Sequence, residues 1–341
     1  GNIAKLIEKK MNELGYDQVF RDEAGNVIGV MWGRDNNPTI VLNSHMDTVP
    51  EDCAGSWGND PFAANIEDGK LTGLGAADCK GGLAAQVYAG AILKNSLLPL
   101  RGNLVVAATV AEENGASVGV RRLLEKTLPE LDLAPNLVLL GEPSSLGLYY
   151  GHDGRIEANL VIEVAEAADL RKAATSLYEA FQTHTEIAAQ SSSQQDMMVY
   201  EPVYEDGSRR ATLRIERRLM APHKPDQVRG QIHMDAEMIA RLQGCAALSV
   251  EIREELQRLY TGHEASVKFV TNAWETDPFD PMLERARQCL RAAGNPDRPG
   301  KWRLSRLGMG TAGSTIVNDF GIPAIGYGPG DEEQADRKSV V

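Results

Sequence analysis

Short apolar runs alternate with helical segments through residues 1–140, and this alternation restricts the possible folds more than any other feature of the chain. Short continuous apolar runs are typical of buried strands, whereas apolar residues spaced three or four apart indicate helices. Strands that alternate with helices predict a mostly parallel sheet covered by helices on both faces. The predicted strands are 18–20, 27–32, 39–42, 103–110 and 136–140, and the predicted helices are 3–14, 81–93 and 118–126.

The pattern changes after Gly154. From there the order is strand, helix, two strands, helix and strand, which is the β-α-β-β-α-β order of a split β-α-β unit. We therefore predict an α/β domain at 1–154 and 272–341, interrupted by an inserted α+β domain at 155–271. The predicted segments of the insert are 157–164, 168–181, 197–204, 211–219, 224–242 and 265–271, and a helix at 282–293 and a strand at 322–327 then rejoin the first sheet.

Composition excludes several classes of partner. The chain has 341 residues and a net charge of −13. This negative field repels phosphate backbones and anionic membrane surfaces, so we expect neither nucleic acid nor a membrane as a partner. The cysteines, at positions 53, 79, 245 and 289, form no CxxC pair, and no apolar run approaches the roughly 18 residues that a membrane span needs. We expect a cytoplasmic protein.

Four clusters of acidic or histidine residues lie where apolar strands of the first domain end, which is where open α/β sheets present their sites. The first contains His45 and Asp47, directly after the strand at 39–42. Two residues apart in an extended segment, they lie on the same side, so Asp47 can hold the imidazole for a metal. Alone this pair is a weak signal, because a histidine near a strand end is more often structural.

The second cluster is the glycine-rich segment 73–82, which contains Asp78. Glycines before a helix can bind phosphate, but Asp78 replaces the third glycine of GxGxxG, and its carboxylate would repel a pyrophosphate. A carboxylate in a glycine-lined turn can instead bridge metal ions. The alternative is that Asp78 is an acidic N-cap of the helix at 81–93.

The third and fourth clusters also follow apolar strands. Glu112 and Glu113 come after the strand at 103–110, and Glu142 stands between Gly141 and Pro143. If a metal is present, one carboxylate can bind it while another transfers a proton. Taken alone, two adjacent carboxylates after a buried strand are more commonly a solvated turn, and the alternative for the segment around Glu142 is an ordinary polar loop.

In their order, the four clusters resemble those of the metal-dependent amidohydrolases that include acetylornithine deacetylase, succinyl-diaminopimelate desuccinylase, aminoacylases and glutamate-type carboxypeptidases. The similarity spans nearly the whole chain. It implies a catalytic domain interrupted by a lid or dimerisation domain, and hydrolysis of an N-acyl amino acid or small peptide by a homodimer. The matching segments are 43–50, Trp57, 60–62, 68–82, 110–113, 141–143, 215–219 and 326–330.

The resemblance also implies roles for the clustered residues. Asp78 would be a bridging metal ligand, His45 and Glu142 would complete one metal site, Glu113 would belong to the other, and Glu112 would be the general base. Asp47, next to His45, would assist catalysis. Neutral imidazole and carboxylates suit zinc, so we expect two zinc ions per chain, with cobalt or manganese as alternatives.

The chain departs from the family in two places. Asp336 stands where the family has a histidine after Gly-Pro-Gly. Either it ligates the second metal through oxygen, or the second metal site is weak or empty. No histidine follows the first lid strand, since 161–164 runs almost directly into the next helix. Either segments of an ordinary enzyme are missing from this sequence, which we favour, or the protein is a non-catalytic relative that retains at most one metal.

Three further residues are predicted to bind substrate. Arg217 and Arg218, in the inserted domain, would orient a substrate carboxylate, although alternation along a strand sends only one of two neighbours inward. Ser314, in the segment 310–314, would line the substrate pocket by analogy with the family.

Overall fold

The computed structural model describes residues 1–51, 60–96, 98–113, 115, 117–191, 197–205, 207–220, 223–242, 245–296 and 307–334. The helices are α1 (Asn2–Glu13), α2 (Gly81–Lys94), α3 (Val118–Arg122), α4 (Ala167–Ser191), α5 (Pro225–Leu242), α6 (Pro281–Ala292) and α7 (Gly313–Asn318). The strands are β1 (Gln18–Arg21), β2 (Val27–Met31), β3 (Thr39–His45), β4 (Asn65–Glu67), β5 (Lys70–Thr72), β6 (Asn103–Thr109), β7 (Pro135–Leu140), β8 (Gly151–His152), β9 (Gly154–Val164), β10 (Met197–Val199), β11 (Val203–Tyr204), β12 (Arg210–Leu219), β13 (Cys245–Ile252), β14 (Glu254–Arg258), β15 (Glu264–Lys268), β16 (Val270–Thr271), β17 (Trp274–Glu275) and β18 (Ala324–Gly326).

The chain forms two compact units. Unit 1 comprises Gly1–His152, Leu256–Ala265 and Trp274–Val341, and unit 2 comprises Asp153–Glu255 and Ser266–Ala273. The division follows the change of sequence pattern after Gly154, except that the segment Leu256–Ala265 belongs to unit 1. The boundaries of the inserted domain, at 155 and 271, remain a prediction.

Unit 1 contains a six-stranded sheet in the order β1-β2-β6-β3-β7-β18. The pairs β3–β6, β3–β7 and β7–β18 are parallel, and β1–β2 and β2–β6 are antiparallel. The predicted mostly parallel sheet is therefore confirmed. Strand β18 joins it next to β7, as expected for the chain's return after the insert.

Alternate residues of the central strands pack into two hydrophobic layers. In β6, Val105 and Ala107 contact the layer that contains α3 and α7, whereas Val106 and Ala108 contact the layer that contains α1 and α2. A strand buried on both faces needs apolar residues at every position, which is why β6 reads as a continuous apolar run. The sheet is thus covered by helices on both faces, as predicted.

Unit 2 contains an antiparallel sheet in the order β10-β12-β9-β13, with α4 and α5 packed against one face. Inward residues of β9 and β12 alternate along each strand, for example Ile156, Ala158 and Leu160 in β9. This half-buried pattern distinguishes unit 2 from the fully buried sheet of unit 1. The predicted α+β architecture is confirmed.

The prediction of the last strand of the inserted domain, at 265–271, is wrong. The strand that closes the β-α-β-β-α-β order is β13, paired with β9, whereas residues 265–271 form β15 and β16. In β13 only Val250 is buried, because this strand lies at the edge of the sheet. A strand with so little buried surface shows no clear alternation of apolar and polar residues, so the sequence pattern does not mark β13 as a strand.

The segment Leu256–Ala265 packs within unit 1. Leu259 is buried in the layer that contains α1 and α2, and the hydroxyl of Tyr260 donates a hydrogen bond to the carbonyl of Gly25 at 2.7 Å. Gly25 has a φ of +99°, and a Cβ there would lie 2.5 Å from the Tyr260 ring. Only glycine satisfies both conditions at this turn. None of the described helices combines the length and hydropathy needed to cross a membrane.

Candidate active site

The carboxyl ends of three parallel strands meet at one edge of the unit 1 sheet. His45 is the last residue of β3 and pairs with Thr109 of β6, while Asn43 pairs with Leu140 of β7. Residues that follow β6 and β7 are therefore next to His45. This register brings the Glu112–Glu113 turn and Glu142 to the imidazole from two sides.

The glycine-rich segment brings Asp78 to the same place. Residues Ala76–Lys80 form a turn before α2 in which Asp78 and Cys79 have non-helical backbone angles, with Gly75 at φ 75° and a cis peptide between Asp78 and Cys79. In this turn Asp78 Oδ1 lies 3.0 Å from His45 Nε2. The helix begins at Gly81 with Lys80 at its N-cap and no side-chain cap, so Asp78 is not the N-cap of α2.

Gly82 allows α2 to approach the loop that contains Glu142. A Cβ at Gly82 would lie 1.8 Å from the carbonyl oxygen of Gly141 and 2.8 Å from its carbonyl carbon. Both atoms are backbone and cannot rotate away. The close approach of α2 to Gly141 therefore requires glycine at position 82.

Three buried carboxyl groups surround the imidazole of His45. Besides Asp78, Glu142 Oε2 lies 3.7 Å and Glu112 Oε2 4.0 Å from His45 Nε2. Asp78, Glu112 and Glu142 are 2%, 8% and 1% exposed. Asp78 Oδ2 and Glu142 Oε2 are fully buried and have no hydrogen-bond partner in the described residues. Buried carboxylate oxygens without partners are costly, and a bound cation would satisfy them.

Burial and charge alter the proton affinities of this group. Burial raises the pKa of Glu142 to about 8 and the pKa of Glu112 well above its ordinary value, although the charge of His45 acts in the opposite direction in both cases. Burial lowers the pKa of His45, but the charges of Cys79 and Glu142 and the hydrogen bond to Asp78 outweigh it, so the net pKa is raised. The group therefore retains protons until a cation replaces them.

Asp47 contacts the backbone of the Glu112–Glu113 turn. Its Oδ2 accepts hydrogen bonds from the N–H of Glu112 at 2.9 Å and from the N–H of Glu113 at 3.1 Å. His45 Nδ1 lies 3.1 Å from the Asp47 carbonyl oxygen and 3.7 Å from Asp47 Oδ1. A carbonyl only accepts, so this contact assigns a proton to Nδ1. Asp47 thus holds both the imidazole and the di-glutamate turn.

Two residues near the group were missed by the sequence reasoning. Cys79 is fully buried, and its sulfur accepts the N–H of His45 at 3.1 Å. Lys80 donates from Nζ to the carbonyl of Asp47 at 3.4 Å, and burial lowers its pKa. Both stand in the segment 73–82, but nothing in that segment shows that side chains next to Asp78 turn toward the histidine.

The remaining predicted residues are placed as follows. Within the described residues, the group whose ligand atoms all lie within 4.8 Å of one another is His45, Asp78, Cys79 and Glu142. Glu113 is half-buried and outside that group. Ser314 is buried in α7 of unit 1. Asp336 and Trp57 lie outside the described residues.

Arg217 and Arg218 are on β12 of unit 2. Both are half-buried, so strand alternation does not send one fully inward and the other to solvent. Arg218 forms an ion pair with Asp153 at 3.3 Å, and the two side chains are 16% and 7% exposed. His152 is buried in β8, where its Nε2 accepts a hydrogen bond from the N–H of Thr311 at 2.9 Å.

Known proteins are similar to this chain in sequence and in fold. A succinyl-diaminopimelate desuccinylase of Cereibacter sphaeroides is 37% identical over 147 residues, which are 42% of this chain and 38% of that protein. The chain spans about two fifths of the length of the curated relatives it matches. The dipeptidase Dug1p of Saccharomyces cerevisiae is similar in structure with a TM-score of 0.71 at 14% identity, over 100% of this chain and 86% of that one.

A dinuclear metal-binding peptidase of Bacillus subtilis has the same fold, with a TM-score of 0.61 at 16% identity over 97% of this chain and 87% of that one. The sequence model of peptidase family M20/M25/M40 matches residues 41–338. This match confirms the resemblance inferred from the four clusters. Because the matched region covers most of the sequence, the chain belongs to peptidase family M20/M25/M40.

Proposed function

We propose that the chain is a metal-dependent hydrolase that cleaves the amide bond of an N-acyl amino acid or a small peptide. The observation that carries this proposal is the pair of buried, unpartnered carboxylate oxygens, Asp78 Oδ2 and Glu142 Oε2, beside the imidazole of His45. No lysine or arginine in the described part of the chain forms an ion pair with either carboxylate. A metal cation would supply the positive charge that no described lysine or arginine supplies there.

The donor set fits a divalent metal. His45, Asp78 and Glu142 would hold one ion, and Glu113 and Asp336 would hold a second, with Asp78 shared between the two. An imidazole combined with carboxylates suits zinc, with cobalt or manganese as alternatives. The contact of His45 Nδ1 with the Asp47 carbonyl leaves Nε2 directed at Asp78, where a ligand nitrogen is needed.

When bound, the metal would lower the pKa of a water molecule and polarise the amide carbonyl. Glu112 is the general base: its buried carboxylate would take the proton of the attacking water at Oε2 and deliver it to the leaving amine. Burial already raises the pKa of Glu112, which makes the carboxylate a stronger base than an exposed one. Asp47 positions Glu112 through the backbone N–H bond at 2.9 Å.

Substrate recognition and assembly follow from the same resemblance. Arg217 or Arg218 would bind the carboxylate of the substrate, and Ser314 would line the pocket. We further infer a homodimer formed through unit 2 and a cytoplasmic location. A panel of N-acyl amino acids and dipeptides, assayed with zinc-loaded protein, would identify the acyl group and the amino acid.

The decisive experiment replaces the general base. Glu112→Gln keeps the shape of the side chain but removes its basicity, so turnover should fall by about 10²- to 10⁴-fold while the metal content remains unchanged. Glu67→Gln is the matched control, because Glu67 is exposed on β4. Metal content is measured by elemental analysis and turnover on the best substrate of the panel. Full activity of Glu112→Gln would refute the mechanism.

A second candidate function is a non-catalytic binding module that retains at most one metal. It is favoured by β9, which leads to α4 through only Ala165 and Glu166 and carries no histidine there. A protein that binds metal but hydrolyses no member of the panel would support this alternative, whereas catalysed hydrolysis that is lost in Glu112→Gln would exclude it.

A further inference from the structure

Cys79 belongs to the same group of ligand atoms as the three residues proposed to hold the first metal. One ligand atom each of His45, Asp78, Cys79 and Glu142 lies within 4.8 Å of all the others. All four residues are buried, and Cys79 is 0% exposed. The metal roles inferred from the clusters involve imidazole and carboxylates only, so Cys79 would add a sulfur atom to this donor set.

The backbone of His45 holds the sulfur in place. The N–H of His45 donates to Cys79 Sγ at 3.1 Å, and Sγ lies 3.7 Å from the His45 carbonyl, to which the S–H donates. These two backbone contacts fix the sulfur beside the imidazole and the two carboxyl groups.

A second observation points to a ligand at this place independently of the cysteine. Asp78 Oδ2 and Glu142 Oε2, in the same group, are buried without a hydrogen-bond partner among the described residues. The sulfur is thus adjacent to two carboxylate oxygens that need a cation. A cation that satisfies both oxygens is also within reach of the sulfur.

We propose that Cys79 contributes a thiolate ligand to the metal held by His45, Asp78 and Glu142, and that it makes the site selective for zinc over manganese and magnesium. On binding, the S–H bond breaks, a sulfur–metal bond forms, and the proton passes to solvent. Thiolate is a soft ligand that favours zinc, whereas manganese and magnesium favour oxygen ligands. This inference rests on the proposed function, because it requires a metal at this group.

The test is spectroscopic and uses the full chain with Cys53, Cys245 and Cys289 replaced by serine. Cys79 is then the remaining thiol. Co²⁺ bound by a thiolate gives a charge-transfer band in the near ultraviolet, in addition to the visible bands of any bound Co²⁺. We expect this band in the triple variant and its loss when Cys79→Ser is added. Zinc affinity should fall by about tenfold or more, while manganese affinity changes little.

The possible results of this experiment separate the role of Cys79 from the proposed function. Visible bands of bound Co²⁺ without the charge-transfer band would overturn the role of Cys79 and leave the proposed function intact. Failure of the wild-type chain to bind any Co²⁺ or zinc would overturn both. If Cys79→Ser does not fold, the spectrum of the triple variant alone decides, because its band depends on Cys79 and on no other thiol.

Discussion

Asp47 gives the sharpest test of how the site is held together. Its Oδ2 accepts two backbone hydrogen bonds, from Glu112 at 2.9 Å and from Glu113 at 3.1 Å. A hydrogen bond to a charged acceptor contributes about 1.5–3 kcal/mol. Asp47→Ala removes the acceptor from both amides, so local opening of the turn becomes more favourable by about that amount for each amide.

The effect is measurable at the two amides themselves. A change of 1.4 kcal/mol is a factor of ten, so hydrogen exchange of the Glu112 and Glu113 amides should accelerate by about ten- to a hundredfold in Asp47→Ala. Exchange is followed by mass spectrometry on peptides that cover residues 110–115, in metal-free protein. Asp47→Asn, which keeps one acceptor oxygen but not the charge, should give an intermediate rate.

The control is Asp35→Ala, since Asp35 is exposed and its ion pair with Arg101 is also exposed. Exposed ion pairs contribute little to stability, so exchange at Glu112 and Glu113 should not change. Unaltered exchange at both amides in Asp47→Ala would show that Asp47 does not hold the turn. In that case the positioning role of Asp47 for the general base would have to be abandoned.

Two further predictions concern packing and metal removal. Gly82→Ala places a Cβ 1.8 Å from the Gly141 carbonyl oxygen, so the free energy of unfolding should fall by about 1–3 kcal/mol, and zinc affinity should fall with it. The control is Gly230→Ala on α5, where a Cβ has nothing within 4 Å. This variant should raise the free energy of unfolding by up to about 1 kcal/mol. Equal stabilities of the two variants in urea denaturation would contradict the close approach. Chelation of the metal should lower the melting temperature of the wild type, because a ligand at about 100 times its Kd stabilises the folded state by about 2.7 kcal/mol. The melting temperature of His45→Ala should not respond to zinc or chelator, and a full response would mean that the metal binds elsewhere.

The strand ends at which the site lies could be predicted from the sequence. The continuous apolar run of β6 predicted a strand buried on both faces, and the acidic residues after it indicated a site only in combination with the other three clusters. The family was identified from the order of the motifs around His45, Asp78, Glu112 and Glu142. Such motifs are local in sequence, and strand ends and turns depend mainly on neighbouring residues.

Other features depended on contacts between distant segments. The sequence did not predict β13, because an edge strand buries little surface. Only the pairing of β13 with β9 defines it as a strand. The partners of Asp47 are 65 and 66 residues away, so spacing along the chain suggested only the nearby imidazole. Cys79 gave no signal at all, since a cysteine next to an aspartate is equally compatible with packing.

The sequence by itself determined the α/β class, the inserted α+β unit, the family and the positions of the acidic clusters, because hydrophobic periodicity and short motifs encode local structure. Only the tertiary structure decided which atoms meet. The register of β3 with β6 and β7, together with the turn at Asp78, brings the His45 imidazole, the carboxyl groups of Asp78 and Glu142 and the sulfur of Cys79 into one buried group. Those distances arise from strand pairing and helix packing across the sheet, which no local pattern specifies.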